Sequence, residues 1–99
     1  MATTKEYKTY VLEQLDLLEN ISYKSMMGEY LLYNDSILFG GIYDNRLLIK
    51  MVDSNKKYKM QEQIPYAGAK PMFLVDGIDD KDILKKIVLD TCKDLLINK

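Results

Sequence analysis

The side chains that most often carry enzymatic chemistry are sparse in this chain. It contains no histidine, the commonest general base and metal ligand of proteins, which excludes Ser-His-Asp, Cys-His and histidine-based zinc sites. The one cysteine, Cys92, falls on the apolar side of a predicted helix, where a thiol usually packs as a small hydrophobe. We therefore predict no catalytic residue, no metal site and no cofactor.

Two further patterns resemble ligand sites only superficially. Asp76, Asp79, Asp80 and Asp82 form an acidic cluster, but their spacing lacks the glycine and terminal glutamate of an EF-hand loop. Acids that precede a helix cap its free N–H groups, and we interpret the cluster in this way. Gly40-Gly41 is not part of a GxGxxG motif, and no GxxxxGK[ST] motif occurs, so no nucleotide-binding loop is predicted.

Charge is unevenly distributed along the chain. The net charge of -1 argues against a general nucleic-acid binder. The segment 46–70, however, contains six basic residues and only two acidic ones, which could steer a charged partner or could form a solvated face. Eight tyrosines interspersed with lysines could also stack on a nucleic-acid strand. Direct nucleic-acid contact through the segment 46–70 is therefore kept as an alternative function.

Short apolar runs between turn-forming residues predict an antiparallel β-meander. In the tract 26–50, three such runs are separated by Asn34-Asp35-Ser36 and by Asp44-Asn45, residue types that tolerate tight turns. Gly40-Gly41 indicates a bulge or the close approach of another backbone, and Gly28 a bulge or bend. Residues 46–52 are apolar on both faces, so we expect a second layer, a loop or another subunit to cover the back of the sheet.

Three helices are expected to flank this sheet within one domain spanning residues 1–99. Thr3 or Thr4 caps a first helix that ends near Leu18, and a short second helix spans about 55–61. The last helix begins at Asp79 or Asp80, after a strand at about 72–75, and its inward stripe is predicted to be Ile83, Leu84, Ile87, Val88, Thr91 and Leu95. The predicted class is α+β: an antiparallel β-meander sheet packed with an N-terminal helix, a short middle helix and a long C-terminal helix.

The last helix has more apolar surface than packing on one sheet requires. Leu89, Cys92 and Leu96 extend its apolar arc, and we expect this surface to form a homodimer. A single cysteine cannot form an internal disulfide, and no apolar run approaches the roughly 18–20 residues that cross a bilayer. The N-terminus lacks an apolar signal core. We therefore expect a cytoplasmic protein with no membrane contact.

An ordered series of short motifs carries a family resemblance over nearly the whole chain. Met26-Met27-Gly28-Glu29-Tyr30 corresponds to an M-F-G-G-Y-like run, and the segment 33–39 to a Y-x-D-G-x-x-F-A-like hairpin. The segment 44–50 corresponds to a D-D-R-L-Y-L-K-like strand, and Pro65-Tyr66 and Lys70-Pro71-Met72 to F-x-Y and K-P-x-x-M-x-Y motifs. In these features the chain resembles the N-terminal domain of the TfoX/Sxy family, bacterial regulators of competence for DNA transformation. Glu29 and Ser36 depart from the pattern, where the family has glycine.

The resemblance implies an α+β fold and a role similar to that of an accessory transcription regulator that acts through protein contacts. In larger relatives, which carry a further helical domain, that role is linked to the cyclic-AMP receptor protein. We therefore predict a non-enzymatic regulatory module that binds another protein, with the transcription machinery as the candidate partner. The residues predicted to bind it are Arg46, Lys50, Tyr66 and Lys70. The alternative for these residues is structural, with Arg46 and Lys50 flanking the sheet and Tyr66 filling the core.

Overall fold

Antiparallel strands form one sheet whose inner face packs against the helices. The computed structural model describes residues 3–76 and 78–97, and within them six strands lie in the order β1-β2-β3-β4-β6-β5. The strands are β1 (Ile21–Met26), β2 (Glu29–Asn34), β3 (Ile37–Ile42), β4 (Leu47–Ile49), β5 (Gln61–Gln63) and β6 (Met72–Leu74). The helices are α1 (Lys5–Gln14), a middle 3-10 helix (Asp53–Tyr58) and α2 (Lys81–Ile97). The predicted α+β class is confirmed.

Each hairpin of the meander closes through two residues with positive φ. The pairs are Met27-Gly28, Asp35-Ser36 and Asp44-Asn45, with φ between 51° and 87°. Two consecutive positive φ values are typical of type I′ turns, whose twist matches that of the flanking strands. Asp and Asn tolerate this conformation well, and both turns predicted from them are confirmed. At Gly28 the predicted bulge or bend is instead a tight turn.

Gly40 and Gly41 occupy a bulged and crowded part of the sheet. The register between β2 and β3 shifts here, since Leu32 pairs with Gly40 and Tyr33 pairs with Leu38, which leaves Phe39 as the extra residue. A Cβ atom at Gly40 would overlap the carbonyl oxygen of Leu48. The predicted bulge and the predicted close approach of another backbone are both confirmed.

Glu29 ties the N-terminus to the turn between β3 and β4. Its Oε1 atom accepts hydrogen bonds from the backbone N–H of Thr3 at 3.0 Å, from the Thr3 hydroxyl at 2.7 Å and from the Asp44 N–H at 3.1 Å. A glycine at this position would offer none of these bonds. The departure from the motif therefore has a structural role in this chain.

The hydrophobic core lies between the helices and the inner face of the sheet. Val11 and Leu15 from the α1 region, Phe39 and Ile49 from the sheet, and Leu84 from α2 are all essentially inaccessible to solvent. The predicted inward stripe of α2 is wrong at one position, because Ile83 is 45% exposed. None of the helices described here is long and apolar enough to cross a membrane.

The helix boundaries follow local capping groups. The Thr4 hydroxyl accepts a hydrogen bond from the Tyr7 N–H at 3.1 Å, and Asp80 accepts one from the Ile83 N–H at 3.1 Å. The middle helix is shorter than predicted because Lys59 adopts a left-handed conformation with φ 55°, which ends the helix. The chain then enters β5, a strand that the sequence did not predict.

Tyr58 and Asp90 form a pH-sensitive link between the middle helix and α2. The Tyr58 hydroxyl donates to Asp90 Oδ2 at 2.6 Å. Burial and this hydrogen bond raise the pKa of Tyr58 to about 12, while the same bond lowers the pKa of Asp90. The contribution of Asp90 to stability is therefore present above the ordinary carboxyl pKa and is lost as pH falls through its lowered folded-state pKa. The contribution of Tyr58 is lost as pH rises from about 10 to about 12.

We expect Tyr58→Phe to weaken the dependence of the melting temperature on pH in both windows. The reason is that the variant removes the neutral hydroxyl that donates to the ionised carboxylate. Thermal unfolding followed across the acidic and alkaline ranges measures the effect, with Tyr23→Phe as a control at an exposed tyrosine. Superimposable pH profiles for wild type and Tyr58→Phe would contradict this assignment.

Candidate functional site

A groove with a volume of about 560 Å³ is lined largely by residues on the face of the sheet that points away from the helical core, and also by Leu95 of α2. Leu31 and Leu38 contribute to its floor and alternate along their strands with the core residues Leu32 and Phe39. Met51 and Met72 continue the apolar lining, and Pro65, Tyr66, Ala69 and Pro71 form a wall. Of the segment 46–52, for which apolar residues on both faces were predicted, Lys50 and Met51 line the groove.

The wall belongs to the loop 64–71, which Arg46 holds against the sheet. The guanidinium donates from Nη1 to Gln63 Oε1 at 2.9 Å and to the Ile64 carbonyl at 3.3 Å, and from Nη2 to the Pro65 carbonyl at 3.2 Å. Its Nε donates to the Tyr43 carbonyl at 3.1 Å. The expectation that a loop would cover part of the back of the sheet is confirmed, and Leu48 on that face is fully buried.

Three of the four predicted partner-binding residues come together in this groove. Lys50, Tyr66 and Lys70 all line it. The ring of Tyr66 lies 6.0 Å from that of Tyr43 and remains 58% exposed, so it does not fill the core. Arg46 is absent from the groove lining and acts instead as the clamp that positions the loop.

Lys50 and Lys70, the two lysines of the groove, lie at the same end of the β4–β6 strand pair. Lys50 directly follows β4, Lys70 precedes β6 by two residues, and Ile49 pairs with Phe73 in antiparallel register. Among the described residues, no carboxylate lies within 4.0 Å of either ammonium group. The groove therefore combines an apolar lining with two cations that have no carboxylate partner among residues 3–76 and 78–97.

Other cations of the segment 46–70 are engaged within the fold. Lys56 pairs with Asp53 at 3.1 Å, and Lys57 pairs with Asp90 at 3.1 Å. Arg46 is bound to the loop carbonyls. The positive charge of this segment is therefore divided among two surface ion pairs, the Arg46 clamp, the exposed Lys59 and the two groove lysines.

The structure also supplies groove residues that the sequence reasoning did not select. Tyr43, Leu31, Leu38 and Met51 line the groove beside the predicted residues. The sequence does indicate Leu31 and Leu38. Each neighbours a core residue, Leu32 or Phe39, and successive side chains of a strand point to opposite faces, so one residue of each pair lies on the outer face. The position of Leu95, which reaches the groove from α2, had no such signal.

Among the residues that the structure describes, the groove lining contains neither a carboxylate nor a thiol. Within residues 3–76 and 78–97, no three His, Cys, Asp or Glu side chains are grouped closely enough to hold a metal ion. Cys92 is buried, and burial raises the pKa of its thiol, which keeps the sulfur in its unreactive protonated form.

The predicted dimer surface on α2 divides into exposed and buried positions. Leu89 is 43% exposed and Leu96 is 59% exposed. Cys92 instead lies in the core, where Asn34 Nδ2 donates to its Sγ atom at 3.9 Å. An exposed surface on α2 therefore includes the two leucines and excludes the cysteine.

Homodimerisation through Leu89 and Leu96 stays a prediction. We expect light scattering to give about twice the chain mass of 11.5 kDa for the wild type and the single-chain mass for Leu89→Lys/Leu96→Lys. Leu17→Lys, at a comparably exposed leucine, is the control and should leave the mass unchanged. A wild-type mass near 11.5 kDa at high concentration would contradict the prediction.

Comparison with known proteins gives a relative of undetermined function. No family model matches the chain. An uncharacterized 12.7 kDa protein in the trpE 5′ region of Spirochaeta aurantia is 34% identical over 80 residues, which are 79% of this chain and 70% of that protein. The chain belongs to the family of this spirochaete protein. No activity is known for that relative, so the groove is the feature of this chain from which a function can be proposed.

Proposed function

We propose that this protein is a non-enzymatic regulatory module that binds another protein in the groove. The carrying observation is that Lys50 lines one apolar groove together with Tyr66 and Lys70, which lie on a loop at least 16 residues later in the sequence. Lys50 belongs to the D-D-R-L-Y-L-K-like motif, and Tyr66 and Lys70 belong to the two later motifs. This convergence supports a role similar to that of the N-terminal domain of the TfoX/Sxy competence regulators, in the cytoplasm and on the transcription machinery.

Physical features of the groove favour binding. A concave site of a few hundred Å³ with a mostly apolar lining and a few polar groups is typical of recognition sites in proteins. Tyr66 offers a large apolar ring with a polar hydroxyl, a combination that is enriched at protein interfaces. Lys50 and Lys70 can pair with acidic groups of a partner, because no internal carboxylate among the described residues occupies them.

Affinity capture from a lysate of the source organism tests the proposal. The tagged protein is used after nuclease treatment, beside Lys50→Glu/Lys70→Glu and the matched control Lys85→Glu/Lys86→Glu, which reverses two exposed charges on α2. We expect a stoichiometric protein that survives nuclease, is lost with the groove variant and is retained with the control. Charge reversal at Arg46 is unsuitable because it would also release the loop.

Two outcomes would overturn the proposal. One is a partner that binds the groove variant and the wild type equally well, which would place the binding surface elsewhere. The other is capture of nuclease-sensitive species alone, which would favour direct nucleic-acid contact through the segment 46–70. Binding of that kind would weaken steeply with salt, because displacement of phosphate counterions dominates it.

A further inference from the structure

We infer that the part of the partner that enters the groove is an extended peptide segment carrying an aromatic or long aliphatic side chain and, within about four residues, a carboxylate. This inference rests on the proposed function and specifies the chemistry of the partner. It follows from the lining of the groove, from the placement of its charges and from its shape.

The apolar lining selects the anchor side chain. Leu31, Leu38 and Met72 are half-buried, so each leaves apolar surface in contact with water when the groove is empty. An aromatic side chain buries about 150–250 Å² on binding and is stabilised further by edge or offset contact with tyrosine rings. Tyr66 presents such a ring in the groove wall, and the buried ring of Tyr43 lies 6.0 Å from it, tilted by 50°.

The two lysines select the carboxylate. Lys50 and Lys70 lie at one end of the β4–β6 pair, and no carboxylate among the described residues is within 4.0 Å of either. When apolar groups of a partner pack near the two ammonium groups, they exclude water and strengthen the attraction between these cations and a nearby anion. This favours a partner that supplies negative charge. A neutral or basic segment would leave two ammonium groups partly desolvated without compensation.

The spacing between anchor and carboxylate follows from strand geometry. Tyr43 follows β3 and pairs through backbone hydrogen bonds with Arg46, at the opposite end of β4 from Lys50. Lys50 comes four positions after Arg46, which corresponds to about 13 Å between their Cα atoms along the strand. An extended peptide covers this distance with about four residues.

The shape of the groove favours a peptide over a broad protein surface. Pro65, Ala69 and Pro71 rise beside the sheet as a wall, and Arg46 fixes the start of this loop through the Ile64 and Pro65 carbonyls. A flat surface would rest on the rim formed by Tyr66 and the lysines. A single side chain on an extended segment reaches Leu31 on the floor, which pairs with Gly41 next to the Tyr43 ring.

Selection from a random dodecapeptide library displayed on phage, against the immobilised full chain, tests the inference. We expect the selected peptides to share an apolar residue and an acidic residue at the predicted spacing. Lys50→Glu/Lys70→Glu should select basic residues in place of acidic ones, and Lys85→Glu/Lys86→Glu should select the wild-type pattern. The consensus peptide should bind Lys50→Glu/Lys70→Glu at least about tenfold more weakly than the wild type.

The inference would be overturned by a library that yields no enriched pattern, or by the same pattern for the wild type and the groove variant. Circular dichroism and thermal unfolding of each variant establish that the fold is retained. Adding the consensus peptide to the lysate capture separates the two proposals. A captured partner that the peptide does not displace would overturn the inference alone, whereas a clear acidic consensus without any protein partner would count against the proposed function.

Discussion

Arg46→Ala is expected to lower the free energy of unfolding by about 2–3 kcal/mol and to open the groove. The variant removes a guanidinium that donates to the carbonyls of Tyr43, Ile64 and Pro65 and to the Gln63 side chain. Hydrogen bonds from charged groups contribute more than neutral ones, and the Arg46 side chain is partly shielded from water. Denaturant unfolding measures the stability, and hydrogen exchange of the amides in 61–70 measures the release of the loop.

Two variants separate the clamp from simple loss of charge. Arg46→Lys keeps the positive charge but cannot reach acceptors in several directions at once, so it should recover only a small part of the stability. Lys50→Ala removes a nearby cation that does not hold the loop, so it should change the free energy of unfolding by less than about 0.5 kcal/mol. Equal stability of Arg46→Ala and Lys50→Ala would show that the loop is held by other contacts.

Asn55→Leu is expected to lower the free energy of unfolding by about 3 kcal/mol, although leucine has the same number of side-chain heavy atoms as asparagine. Asn55 is fully buried, and its Nδ2 donates to the Lys50 carbonyl and to Thr91 Oγ1, both at 2.8 Å. Its Oδ1 accepts from the Val52 N–H at 3.2 Å. The variant would remove the partner of the Lys50 carbonyl and of the Val52 N–H, while the Thr91 hydroxyl would keep its bond to the Ile87 carbonyl. A polar group left unpaired away from water costs about 1–3 kcal/mol.

Thr91→Val provides the matched comparison for Asn55→Leu. It removes the same inter-helix bond from the other side, and it also removes the Thr91 hydroxyl bond to the Ile87 carbonyl at 2.7 Å. That carbonyl belongs to the α2 backbone, so we expect a smaller loss of about 1–1.5 kcal/mol. A double-mutant cycle by denaturant unfolding measures the coupling, and purely additive losses would contradict a shared network.

Arg46 and Asn55 both stabilise the fold and position parts of the groove. Arg46 holds the wall through the loop 64–71, and Asn55 holds the backbone of Lys50 from within the core. Lys50 therefore presents its side chain to the groove while its carbonyl is fixed by a buried amide. This arrangement positions the cation without using another charged group to do so.

The local features of this protein were predictable from sequence because they depend on neighbouring residues. Asp35-Ser36 and Asp44-Asn45 adopt positive φ in tight turns, and Thr4 and Asp80 cap helices, all as their residue types favour. Gly40-Gly41 lies where another backbone approaches too closely for a side chain. The three helices, the order of the meander and the second apolar face follow from the same short-range patterns.

The roles of individual polar and apolar residues were decided by contacts between distant parts of the chain. Arg46 was expected to bind a partner, but the carbonyls that engage it lie 18 and 19 residues later, in a loop without regular periodicity. Cys92 was expected on the dimer surface beside Leu89 and Leu96, but it is buried in the core and its Sγ accepts from Asn34, 58 residues away. The sequence determined which segments form turns, strands and helices, because those preferences are local. Tertiary structure decided which cations remain free for a ligand, because that depends on where the chain brings their acceptors.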